Sequence, residues 1–221
     1  MNRLSEIFSH VQKTAVFADI GCDHGFIAKM AVENKIADKI LITDVSEKCL
    51  NKAVELLKRD IALGVVFPFV TDGFRGISSV TEAVIAGMGG EEIISVLSEY
   101  LPRERIDRLI LQPMKNTPKV RAFLIENGYN LVNDYTFYAD KKFYDLIVCE
   151  PIKDGEKIVY SNDELLFGKQ NLDELPSGFI KKIEKDLFDL NERLTRDLSE
   201  KTRQDFLCEI EKLTKIVNGK N

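Results

Sequence analysis

Phe17-Ala18-Asp19-Ile20-Gly21-Cys22-Asp23-His24-Gly25 is the stretch that decides the fold. A short apolar run at 16–20 enters a glycine turn, and a helical pattern near 26–33 leaves it. Strand, glycine turn and helix open a doubly wound α/β sheet, whose ligand crevice lies at the carboxyl ends of its strands. Glycine there lets the backbone approach a ligand closely. The dinucleotide form of this turn, G-x-G-x-x-G, seats a pyrophosphate on the helix N-terminus. Here the text is D-x-G-x-D-x-G, with Asp23 in place of the middle glycine. Extra carboxylates would repel a pyrophosphate and would attract a cationic ligand.

The pattern continues outward from this turn. Strand candidates fall at 16–20, 40–43, 65–70, 83–86, 109–111, 131–138 and 143–150, with helical stretches near 26–33, 47–59, 91–99 and 118–126. Alternation of this kind predicts a parallel sheet covered by helices on both faces. The last two strands are separated only by Ala139-Asp140-Lys141-Lys142, a hairpin length that makes them antiparallel. The expected fold is α/β, a doubly wound Rossmann-like sheet in the class I methyltransferase layout, ending in an antiparallel hairpin. Fold alone does not fix function.

Beyond the sheet, 153–177 reads as a polar connection with a short ordered segment near 165–167. Ile183, Leu187, Leu190, Leu194 and Leu198 then step by helical spacings, as do Phe206, Ile210, Leu213 and Val217. With a turn at Ser199-Glu200-Lys201-Thr202 they predict an intramolecular coiled-coil hairpin; one long helix is the alternative. The division expected is 1–155 for the catalytic domain and 156–221 for the linker and helical appendage.

The 221 residues are 44% hydrophobic and 30% charged, with a net charge of −5. That apolar content excludes a disordered chain. The longest apolar runs are too short to span a membrane, and the N-terminus lacks a secretory pattern. Four scattered cysteines without a CxxC pair read as reduced cytoplasmic thiols rather than a metal site. The acidic balance argues against bulk electrostatic capture of nucleic acid. Several acids sit at strand ends, however, so total charge is a poor guide to any RNA-facing surface. Local basic sets remain at Lys115, Lys119 and Arg121, and at Lys181, Lys182, Lys185, Arg193 and Arg196.

The strand ends carry the candidate chemistry. Asp44, ending the second strand about 20 residues past the glycine loop, can accept bonds from ribose hydroxyls. Asp72-Gly73 after the third strand offers an acceptor for an adenine amino group and room for its ring. Ala86-Gly87-Met88-Gly89-Gly90 ends the fourth strand with exposed backbone, and Gln112-Pro113 ends the fifth, where the Gln112 amide can meet an adenine edge. The acids of the first turn suit the ammonium and sulfonium of S-adenosyl-L-methionine. A nicotinamide-dependent oxidoreductase is the nearest rival and would require the missing G-x-G-x-x-G.

Asp19-Ile20-Gly21-x-Asp23-His24, Ile85-Ala86-Gly87-Met88-Gly89-Gly90, Leu109-Ile110-Leu111-Gln112-Pro113 and Tyr144-Asp145-Leu146-Ile147-Val148 occur in that order. Together they resemble the bacterial tRNA (adenine(22)-N1)-methyltransferase family across essentially the whole chain. The resemblance implies a cytoplasmic class I enzyme that uses S-adenosyl-L-methionine to methylate N1 of one adenine in the D-arm region of tRNA, without metal or membrane. It implies a donor site of Asp19, Gly21, Gly25, Asp44, Val45, Asp72, Gly73, Ala86, Gly87 and Met88. Base and RNA contacts would come from Gly89, Gly90, Gln112, Pro113, Lys115, Asn116 and Tyr144. Asp23 is the first candidate to stabilise charge growing on the base, with His24 beside it. Phe26, Phe74 and Tyr144 are the candidates to stack on it. The chain departs from the family at Ile7, where a helical arginine is usual and Arg3 is the open substitute, at Ala28, usually proline, and at Met114, usually asparagine.

Overall fold

A computed structural model describes residues 2–101, 103–153 and 158–219. Its sheet has seven strands in the order β3-β2-β1-β4-β5-β7-β6. β1 (Val16–Ile20), β2 (Lys39–Asp44), β3 (Val66–Val70), β4 (Glu82–Met88) and β5 (Arg108–Pro113) run parallel. β6 (Tyr129–Ala139) and β7 (Lys142–Pro151) form the antiparallel hairpin, with β7 inserted beside β5. Strand order reverses between β1 and β4, which opens the crevice at their carboxyl ends.

Alternation along the strands builds two cores. Phe17, Ile40, Ile42 and Val84 face α1 (Arg3–Phe8), α2 (Phe26–Glu33) and α3 (Glu47–Leu56). Ala18, Leu41, Ile85 and Leu111 face α5 (Gly90–Tyr100) and α6 (Thr117–Glu126). The helix expected over 47–59 breaks at Leu57, and α4 (Lys58–Ala62) follows it. Leu57 is wholly buried and takes φ −107°, ψ 15°, off the helical region.

The segment expected near 165–167 is α7 (Asn162–Phe167), followed by α8 (Lys169–Glu174), which the sequence pattern does not signal. The expected boundary at 155/156 lies outside the described residues. The appendage consists of two helices, α9 (Ser177–Leu194) and α10 (Glu200–Asn218), packed around Phe179, Ile183, Leu190 and Leu213. A single long helix is thereby excluded. The turn lies at 195–199, not 199–202, because the Ser199 side chain accepts the Thr202 amide and caps α10.

Three contacts root the appendage on the sheet. The Arg121 side chain, 1% exposed, bonds both Asp134 oxygens at 2.9 Å and donates to the Leu165 and Leu166 carbonyls of α7. Gln170 and Asn171 of α8 accept the Asp134 and Thr136 amides of β6 at 3.0 and 2.8 Å. Gly178 brings α9 so close to β6 that a Cβ would stand 2.5 Å from the Thr136 carbonyl oxygen.

Candidate active site

A crevice of about 790 Å³ lies over the carboxyl ends of β1, β2 and β4. The glycine turn forms one wall. Gly21 and Cys22 donate their amides to the Thr43 carbonyl at 2.8 and 2.9 Å, folding the turn over the end of β2. Gly21 has φ +69°, and a Cβ there would collide with the Met88 methyl. Gly21 thus lets the Met88 side chain pack directly against the turn. Gly87, at φ +81°, lies beneath the Arg3 guanidinium.

Asp19 is buried at the back of the crevice and accepts the Ala28 amide at 3.1 Å. Burial raises its carboxyl to about 7, against the Ala28 bond and helped by the nearby Asp44 charge. Asp44 is held by two backbone amides, from Ser46 at 2.8 Å and Asp23 at 3.1 Å. Asp72, Gly73, Val45 and Ala86 complete this part of the lining. Gly73 is required because a Cβ would stand 2.7 Å from Val96.

Asp23 and His24 stand at the mouth. His24 Nδ1 lies 2.8 Å from Asp23, and Lys52 approaches Asp23 at 3.8 Å. Slight burial pushes the Asp23 carboxyl up, but bonds from His24 and Cys49 and the Lys52 charge hold it below its ordinary value. It is thus an anion at neutral pH. Phe26, 51% exposed, stacks parallel to His24 at 5.6 Å. Phe74 is buried against Tyr100, which removes it from the stacking candidates.

Residues 1–147 match the family model for a methyltransferase domain. The chain belongs to that methyltransferase family. A Mycoplasma genitalium protein named as a candidate tRNA methyltransferase is 30% identical over 163 residues, 71% of this chain and 72% of its own. The tRNA (adenine(22)-N1)-methyltransferase of Bacillus subtilis is 27% identical over 153 residues, 67% of this chain and 63% of its own. The crystal structure of a candidate tRNA (m1A22) methyltransferase from Streptococcus pneumoniae superposes with a TM-score of 0.89 at 24% identity, covering 99% of both chains. At that identity the likeness is one of fold. The same protein has been solved with S-adenosyl-L-methionine (TM-score 0.86).

In this methyltransferase, nine of the ten residues expected around the donor line the crevice. The tenth, Gly25, does not: it turns the chain at φ +72° and packs on Ala53, where a Cβ would stand 2.7 Å away. The expected acceptor residues lie elsewhere. Pro113, Lys115, Asn116 and Tyr144 line a second cavity of about 650 Å³, between the β5–α6 loop and the appendage. Gly90 is a packing position, its amide bonded to the Lys115 carbonyl at 3.0 Å, and the Gly89 amide is taken by Glu92 at 2.7 Å. Asn116 points its amide at Glu91.

Gln112 is wholly buried. Its amide nitrogen donates to the Pro113 carbonyl at 3.0 Å, and its oxygen accepts from Arg3 at 3.3 Å. Arg3 is the residue left open in the sequence as a stand-in for the family's helical arginine. It lines the crevice beside Gly87 and lies over the Tyr144 ring at 5.7 Å. Ile7, one turn later, is buried in the core, so no charge is tolerated there. Arg3 supplies a guanidinium to the crevice from the same helix. Its signal in the sequence is Asn2, the cap of α1.

The basic sets thin out in the structure. Arg121 is buried with Asp134, Lys119 pairs with Glu91, and Lys182 and Lys185 pair with Asp186 and Asp189. Among the described residues, no cluster of three His, Cys, Asp or Glu side chains is placed to hold a metal, and no helix is long and apolar enough to cross a membrane.

Proposed function

We propose that this methyltransferase uses S-adenosyl-L-methionine to methylate N1 of an adenine in tRNA. The Bacillus subtilis and Mycoplasma genitalium relatives support the substrate class. The observation that carries the donor is the set of unsatisfied carboxylates in the crevice. Asp19 and Asp44 accept only backbone amides, and no side-chain cation lies within ion-pair distance of either among the described residues. Asp44 would take the ribose hydroxyls, Asp72 the adenine amino group, and Asp19 the positive end of the donor. Gly21 and Gly87 put no side chain of their own into the crevice. When bound, that donor supplies an electrophilic methyl group on a sulfonium.

Adenine N1 carries its own lone pair, so the chemistry asks for neither a strong base nor a metal. The chain's contribution is to hold the acceptor in line. N1 lies on the pairing edge, so the base must leave its stack, at a cost of about a few kcal/mol. The exposed Phe26–His24 pair can receive it. Asp23, ionised at the mouth, faces the positive charge that grows on the ring. We place the catalytic part in 1–155 and the RNA-gripping appendage in 156–221, in a monomeric cytoplasmic enzyme.

The test is methylation of an unmodified tRNA transcript with labelled donor, followed by mapping of the product. N1-methyladenosine at position 22 is expected. Transfer to another acceptor, with none to any tRNA, would overturn the reading.

A further inference from the structure

The tip of the β6–β7 hairpin carries a surface that the donor site does not use. Its turn is Asp140-Lys141, with both residues left-handed at φ 48° and 64°. That is a type I′ geometry, in which glycine follows Asp or Asn at the least cost. A lysine occupies the second position instead. Lys142 follows it, and Tyr138 and Phe143 pair across the strands with rings 4.9 Å apart. From α9, Lys181 and Lys185 face the same depression of about 700 Å³, and no carboxylate lines it. Tyr138 is half exposed.

Much of the basic charge elsewhere is neutralised. Lys119, Lys182, Lys212 and Lys215 each sit within 4 Å of a carboxylate. Among the described residues, Lys141, Lys142 and Lys181 have no such partner. Three uncompensated cations thus surround an aromatic pair on a chain whose net charge is −5. The patch also runs on from the crevice. Phe143 borders both it and the second cavity, which holds Tyr144 and Lys115. Asp140 accepts the backbone amide of Arg3 at 3.1 Å, and the Arg3 side chain reaches the crevice.

We propose that this hairpin tip and the start of α9 are a second contact for single-stranded or looped RNA. Lys141, Lys142 and Lys181 hold successive phosphate oxygens, and the exposed Tyr138 face stacks an unpaired base. Lysines interleaved with an aromatic pair fit a polynucleotide, whose charge and rings alternate. An acidic peptide would use the charge and leave the rings idle. The inference rests on the tRNA reading above and adds to it the track that the strand follows away from the reacting base.

The experiment compares wild type with Lys141→Ala/Lys142→Ala/Lys181→Ala, and separately with Tyr138→Ala, on an unmodified tRNA transcript across a salt series. Loss of three phosphate contacts lowers the slope of log K against log salt by about 2–3. Affinity and KM for tRNA should worsen by about 10–100-fold at low salt, while kcat at saturating tRNA and donor affinity stay unchanged. Tyr138→Ala should weaken tRNA binding at least about fivefold without altering the slope. Replacing the three lysines by arginine should keep the slope. If wild type methylates tRNA and the triple variant matches it in affinity and slope, the patch is not an RNA contact. The patch is equally excluded if the triple variant instead loses binding to vesicles containing phosphatidylserine, or to a poly-glutamate peptide, with tRNA binding intact. If wild type methylates no tRNA at all, the substrate reading falls first.

Discussion

The two ends of the sheet treat carboxylates in opposite ways. At the amino end, Glu82 is buried beside Arg108, which also bonds Glu150 and the His10 carbonyl. These acids end on a cation of their own chain. At the carboxyl end, Asp19 and Asp44 end on backbone amides alone and face an open crevice. Satisfied carboxylates stabilise the fold. Unsatisfied ones leave acceptor capacity for a ligand.

The largest expected effect is on the closed end. Arg108→Met strands Glu82 and should cost about 3–5 kcal/mol in urea unfolding above pH 8, where that acid is ionised, while leaving donor affinity unchanged. Burial already raises the Glu82 carboxyl to about 7, against the Gln12 amide and Arg108, so the loss should shrink at pH 5.5, where that acid is neutral. A comparable loss of donor affinity would mean that the two ends are coupled.

Asp44→Ala should act on the open end, weakening donor binding about 30–100-fold by calorimetry, the worth of about one charged hydrogen bond. Its effect on unfolding should stay near ~1 kcal/mol. Asp19 gives a smaller but more pointed test. Its folded carboxyl lies near 7 against an ordinary 3.8, so the folded chain binds the extra proton and the free protein loses stability as pH rises from about 4 to 7. A cationic donor needs the ionised form. Donor affinity should therefore fall about tenfold between pH 8 and pH 6. Asp19→Asn should abolish that dependence, weaken binding at pH 8 and stabilise the free protein there. A flat wild-type profile would remove Asp19 from the cationic end of the site. The smallest effect belongs to Phe26→Leu, which should raise KM for tRNA by about fivefold or less and leave donor binding alone.

The strand ends were legible because their chemistry is local. Asp19 to His24 and Asp44-Val45 each sit where a strand delivers them, so spacing alone places them around one crevice. What depended on distant partners was not legible. Gln112 reads as an open amide until Arg3, 109 positions away, closes it. Arg121 reads as part of a basic set open to RNA until the α7 carbonyls descend on it. α1 and α8 have six residues each, too few for a helical period to show.

The side chains that α8 offers to β6 carry a further consequence. β6 is the outermost strand, 11 residues long, and its free side would template another strand. Gln170 and Asn171 answer its outward N–H groups as a neighbouring strand would, with side chains in place of backbone. The opposite border is blunted differently: β3 has five residues and carries Pro68, which has no N–H to offer. A chain cut before α7 would thus present a long adhesive margin, and should polymerise edge to edge before its loss of RNA grip could be measured.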